Sequence, residues 1–153
     1  VRRNGGPSGR GAAGAATGAA TGARVRRTRW ITGPEPRGAD PVVVALTAFR
    51  LHRGAHLPRA CLAGWRLSRL WPELEGAVGL WLWAEPGARR IGSVSVWRSE
   101  ADLRAFVRLP AHVAIMRAYR GRGELVSATW TSGAPDLWEE ARSHGVEYSE
   151  PPG

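Results

Sequence analysis

The sequence predicts an α+β fold in which two helices pack on one four-stranded antiparallel sheet. Three observations predict it. Apolar residues recur at strand spacing in four stretches and at helical spacing in two, in the order strand, helix, strand, strand, helix, strand. A Pro-Gly turn joins the middle pair of strands, the length a hairpin needs. The chain has 153 residues, 43% of them hydrophobic and eight of them Trp, enough to bury one core of ordinary size.

The elements follow in order. "VVVALTAFRL" (42–51) is β-branched and apolar, as in a strand buried on both faces. "LPRACLAGWRLSRLWPEL" (57–74) repeats large apolar residues with Arg59, Arg66 and Arg69 between them, an amphipathic helix with Pro58 in its first turn and Pro72 at its weak end. "AVGLWLWAE" (77–85) and "RIGSVSVW" (90–97) flank "PGAR"; the second sets Val94 and Val96 against Ser93, Ser95 and Trp97. Ser99 caps the next helix, with Glu100 and Asp102 at the positive end of its dipole, and that helix runs to about Tyr119. "ELVSATWT" (124–131) is the last strand, and "PDLWEEARSHG" (135–145) a short terminal helix. Strand, helix, strand, strand, helix, strand is the ferredoxin-like arrangement. Two helices cover one face of its sheet, so the other face, which carries Trp81 and Trp83 or Leu80 and Leu82, is expected to meet a second subunit.

Outside residues 41–146 the expectations differ. Residues 1–40 are low in complexity, with "GAAGAATGAATGAR" and almost no large apolar side chain, and read as a disordered tail; 147–153 read as a flexible C-terminus. The opening on Val and the Gly/Ala repetition also suit translated upstream sequence. All 22 basic residues are Arg, and the formal net charge is +9. Residues 1–40 hold eight Arg against Glu35 and Asp40, so the excess sits mainly in the tail, where it attracts phosphate without aromatic interleaving; nucleic acid is ranked last among partners. A single cysteine excludes an internal disulfide, and no apolar run approaches the roughly 18 residues of a membrane span. A soluble, cytoplasmic setting without a membrane partner is the expectation.

"SVSVWRSEADLRAFVRLPAHVAIMRAY" resembles the dimeric α+β barrel superfamily, and more narrowly the antibiotic-biosynthesis-monooxygenase-like and spheroidene-monooxygenase-related proteins. "GWRLSRLWPELEGAVGLWLWAE" and "LVSATWTSGAPDLWEEA" fit the same pattern, and the resemblance covers about residues 42–142. It implies a homodimer with a pocket in each subunit between sheet and helices, holding a planar aromatic substrate or, in one branch, a haem. Some members oxidise phenolic polyketides with dioxygen and no cofactor, and others degrade haem. No cofactor is therefore expected, with haem as the alternative. The haem-degrading branch carries a helix Trp and a later His; Phe106 stands at that helix position here, and His112 comes too early for the spacing.

His112 is the catalytic candidate. In phase with Leu103, Phe106 and Val107 it would face water, but a helix restarted at Pro110 places His112, Ile115, Met116 and Tyr119 on one apolar stripe. An inward imidazole serves as general base or as an axial haem ligand; the bland reading is a partly buried histidine bonded to backbone. Trp97, Phe106, Met116, Tyr119, Trp65 and Trp83 are the expected substrate-binding residues, large apolar faces that more often form core. His52 and His56 lack a third ligand, so no metal site is expected, and Cys61 reads as a buried thiol. The expected function is a monooxygenase-like protein that binds and oxidises an aromatic or polyene small molecule, the alternative a non-catalytic dimeric domain binding a small hydrophobic ligand or haem.

Overall fold

The computed structural model describes residues 24–147. Four long strands, β3 (Val42–Leu51), β4 (Ala77–Glu85), β5 (Arg90–Trp97) and β6 (Gly123–Ser132), form the body of the sheet. They lie in the order β4-β5-β3-β6 with every pairing antiparallel, the ferredoxin-like topology. Two further strands, β1 (Arg26–Arg27) and β2 (Ile31–Thr32), pair with the outer edge of β4, so the sheet has six strands where four were expected.

These two strands fall within residues 1–40, the stretch expected to be a disordered low-complexity tail. The outer edge of β4 would otherwise present unpaired backbone groups. Residues 26–35 satisfy them: Thr28 N–H donates to Leu82 O, Leu82 N–H to Thr28 Oγ1, Gly33 N–H to Val78 O and Glu35 N–H to Ala77 O. One large side chain completes the strap. Trp30 packs against Trp81 with ring centroids 4.4 Å apart and lies over Gly79, where a Cβ would fall 1.8 Å from its ring. Residues 1–23 and 148–153, read from the sequence as part of a disordered tail and a flexible C-terminus, lie outside the described residues.

The period of two along each strand sorts the core into halves. One face of the sheet presents Val43, Ala45 and Thr47 of β3, Leu80 and Leu82 of β4, and Ser95 and Trp97 of β5. On it lie α1 (Leu57–Ser68), α2 (Glu100–Val107) and α3 (Pro110–Tyr119). α1 stops earlier than its apolar repeat suggested, because Pro72 cannot continue an α-helix; Trp71–Glu73 form a separate 3-10 turn with Trp71 fully buried. The second face presents Val42, Val44, Leu46, Val94 and Val96, and the terminal helix α4 (Leu137–Glu147) covers it with Leu137 and Ala141. A helix of the same chain thus occupies ground expected to meet a second subunit. β6 remains open at the sheet edge, with Leu125 and Val126 exposed.

The Trp30 contact is testable by adding one methyl. Gly79→Ala drives a Cβ into the indole and is expected to lower stability by about 1–3 kcal/mol, read as a lower denaturant midpoint. In Gly64→Ala the new methyl meets nothing within 4 Å inside a helix, and the expected change is a gain of about 0.5–1 kcal/mol. A neutral Gly79→Ala would mean that the strap does not sit on β4.

Candidate functional site

Pro110 decides what the helix after β5 can present. Ser99 caps α2, its Oγ accepting from Asp102 N–H, and Asp102 in turn takes two bonds from the Arg98 guanidinium. Burial pulls the Asp102 carboxyl upward, but the bonds from Arg98 and Ser99 outweigh it and hold it below the ordinary carboxylate value. The helix ends at Val107. Leu109 is extended (φ −60°, ψ 138°), as a residue before proline should be, and α3 begins at Pro110 with a new phase. His112, Ile115, Met116 and Tyr119 then all face an open cavity of about 730 Å³ between α1, α3 and the sheet.

The cavity is apolar with a few hydroxyls on its floor. Ala45, Thr47 and Phe49 of β3, Leu80 and Leu82 of β4, and Ser93 and Ser95 of β5 form that floor. α1 contributes Cys61, Trp65 and Leu67, and α2 contributes Leu103 and Phe106. Phe106 also belongs to an aromatic cluster with Trp71 and Trp97, whose centroids are 5.0–5.1 Å apart. The His112 ring stands 4.9 Å from Phe106, edge to face.

One hydrogen bond defines the state of His112. Nδ1 lies 3.1 Å from the carbonyl oxygen of Val107, which can only accept, so Nδ1 carries the proton and Nε2 the lone pair. Nε2 has no partner among the described residues. Burial pushes the imidazole below the ordinary histidine value, the bond to Val107 opposing it only in part, and the ring is neutral at neutral pH.

Of the seven expected site residues, six line the cavity: His112, Phe106, Met116, Tyr119, Trp65 and Trp83. They do so unequally. Trp65 and Met116 are exposed at the mouth, with Arg69 over the Trp65 ring, whereas Trp83 is buried across Gly92. Trp97 is the departure: at 1% exposure it stands behind the wall, packed on Trp71 and Phe106, and its Nε1–H donates to Ser95 Oγ at 3.0 Å. It positions wall residues and does not itself reach the cavity. Cys61 also differs from expectation, being an exposed thiol on the cavity wall; partial burial raises its pKa, so it stays protonated. Ser95 was missed, although the alternation of β5 placed it on the same face as Trp97. His52 and His56 remain apart from the site. Among the described residues no group of three or more His, Cys, Asp or Glu could hold a metal ion, and no helix is long and apolar enough to cross a membrane.

The fold and cavity define the class: a ferredoxin-like α+β protein with an open, largely apolar cavity between sheet and helices. Solved structures with this fold carry oxygenase and haem-degrading activities. The chain is similar to SnoaB, a cofactor-independent oxygenase from Streptomyces nogalater, at 17% identity and TM-score 0.51, over 65% of this chain and 99% of that one. It is similar to LmHde, a heme-degrading enzyme from Listeria monocytogenes, at 20% identity and TM-score 0.53, over 71% of each chain. A monooxygenase-like protein from Listeria innocua matches at 18% identity and TM-score 0.51 over 67% of this chain, which spans 61% of that protein's length. No family model matches the sequence, and no curated protein does. These likenesses bear on the fold.

The histidine's state can be read directly by NMR. Because its folded pKa is depressed, the neutral form is the one folding favours; stability is fully present above the unfolded value and declines as pH falls through the folded one. The His112 ring resonances are expected to titrate with a midpoint below that of free histidine. In His112→Asn the corresponding acid-side loss of stability should disappear. A midpoint at or above the free value would contradict the buried, neutral assignment.

Proposed function

We propose that this chain is a monooxygenase-like protein that binds an aromatic or polyene small molecule in the cavity and oxidises it with dioxygen, without a cofactor. The observation that carries the proposal is His112, a neutral imidazole on the wall of a large apolar cavity with its Nε2 lone pair free. Such a base removes a proton from a phenol whose charged form an apolar site would otherwise disfavour. The phenolate's electron pair then becomes available to dioxygen. One oxygen atom enters the ring system as a carbonyl at an activated methylene, and the other leaves as water with the two hydrogens of that carbon, so the substrate itself supplies the electrons. Phe106, Ile115 and Leu103 offer apolar contact to the substrate's body beside the imidazole. The likeness to a cofactor-independent oxygenase supports this reading. A homodimer, formed where β6 leaves Leu125 and Val126 exposed, belongs to the same proposal.

The test uses a tricyclic phenol with an activated methylene, followed by oxygen uptake and product absorbance. Wild type is expected to consume one dioxygen per ketone formed, and His112→Gln to slow turnover by roughly 10²–10⁴-fold while still binding the compound. Equal rates in the two proteins would remove His112 as the base.

A second reading rests on the same nitrogen. With Nδ1 held by Val107 O, Nε2 is set up to bind iron, and the cavity is large and aromatic enough for a flat macrocycle. The residues present therefore fit haem, which His112 would hold through Nε2 in a cavity lined by Phe106 and Met116; haem would supply iron redox chemistry. Haem added to the wild-type protein should shift its Soret band, and His112→Ala should abolish that shift. An unshifted wild-type spectrum decides against haem and leaves the cofactor-free reading in place.

A further inference from the structure

The charged residues on the cavity wall are all of one sign. Arg26, Arg27 and Arg120 line it, and no Asp or Glu among the described residues does. Arg27 is already engaged on the other side of the sheet, its guanidinium 4.6 Å from the Trp138 ring and 5.4 Å from that of Trp81. Neighbours in a strand point to opposite faces, so Arg26 is left on the cavity side, paired in register with Ala84. Neither Arg26 nor Arg120 takes part in an ion pair among the described residues.

The two free cations stand at opposite edges of one apolar strip. A single cross-strand row runs Arg26, Ala84, Ile91, Phe49, Leu125, and all five line the cavity. Arg120 closes the far end: it follows Tyr119, whose ring stands edge-on to Phe49 at 6.2 Å. From β1 to β6 the row crosses about 19 Å, at a strand spacing of about 4.8 Å. An apolar floor flanked by guanidinium groups, with no carboxylate among the described residues lining it, carries a positive field.

We propose that this cavity selects a flat apolar molecule that bears a carboxylate, the anion held at Arg26 or Arg120 and the body lying along the strip within reach of His112. This deepens the small-molecule reading above and rests on it. The arginine planes match a carboxylate bidentately, while the strip between them supplies only apolar contact. A carboxylate entering an apolar cavity without such partners would bind more weakly than its neutral counterpart, because it must be desolvated. The sign of the preference is therefore diagnostic.

The probes are 1-pyrenebutyrate and 1-pyrenebutanol, one flat body with and without the charge, titrated into the full chain by pyrene fluorescence. Wild type is expected to bind the acid about tenfold more tightly than the alcohol at low salt, with the advantage shrinking as salt is raised. Arg26→Gln and Arg120→Gln should each reduce that ratio, and the double variant should bring it to one or below, with the affinity for the alcohol unchanged. Arg120 lies outside the strap on β4, so its variant keeps the test open if Arg26→Gln folds poorly. A wild-type preference for the alcohol, or a ratio unmoved in the double variant, overturns the charge selection while leaving the cavity intact. Failure of both probes to bind overturns the small-molecule reading itself, and this inference with it.

Discussion

Burial of the β3–β5 pair on both faces is the constraint to which everything else conforms. Val44, Val94 and Val96 are closed off on one side of the sheet and Trp97 on the other, each with at most 1% exposure. An antiparallel sheet usually leaves one face to solvent; this one cannot. α4 is recruited to the valine face, and α1, α2 and α3 take the face of Ser95 and Trp97. The helices on that face meet the sheet tightly only where Trp71, Trp97 and Phe106 interlock. Beside that cluster the floor carries the small side chains Ala45, Thr47 and Ser93, and the cavity opens over them.

Within that frame Pro110 brings a titratable side chain to the wall of the cavity. Without it, a continuous helix would carry His112 round to solvent and bring a different set of residues inward. Restarting the helix aligns imidazole, thioether and phenol on one stripe, and the same break leaves the Val107 carbonyl near the end of α2, where it accepts from Nδ1. The bland description of His112, half-buried and bonded to backbone, turns out to be compatible with the functional one. The backbone bond is what fixes the tautomer.

Much of this could be read from the residues because it is set by local periodicity. Strand alternation in 90–97, the Ser99 cap and the Pro110 phase reset depend on a few neighbouring side chains, and they came out where expected. What sequence could not supply was depth. Trp97 and Phe106 share a face, yet only Phe106 reaches the wall, because Trp71 arrives from a distant turn to cover the indole. Cys61 sits on an apolar stripe, but that stripe lines a cavity, so it is exposed. The strap was illegible for another reason: composition undervalued a segment whose main contribution is backbone pairing, with one tryptophan to anchor it.

Arg27 joins two segments far apart in the chain, its guanidinium lying against Trp81 of β4 and Trp138 of α4. Arg37 reinforces the link by donating to the Ala134 carbonyl just before α4. Both contacts bridge about the longest loops the described chain offers, so their closure is expected late in folding, after the β4–β5 hairpin and its pairing with β3 have formed. Contacts made after the rate-limiting step leave the folding rate almost untouched and act on unfolding. The arginine clasp is accordingly a latch on the lifetime of the native state, governing how long the protein stays folded once it has arrived there.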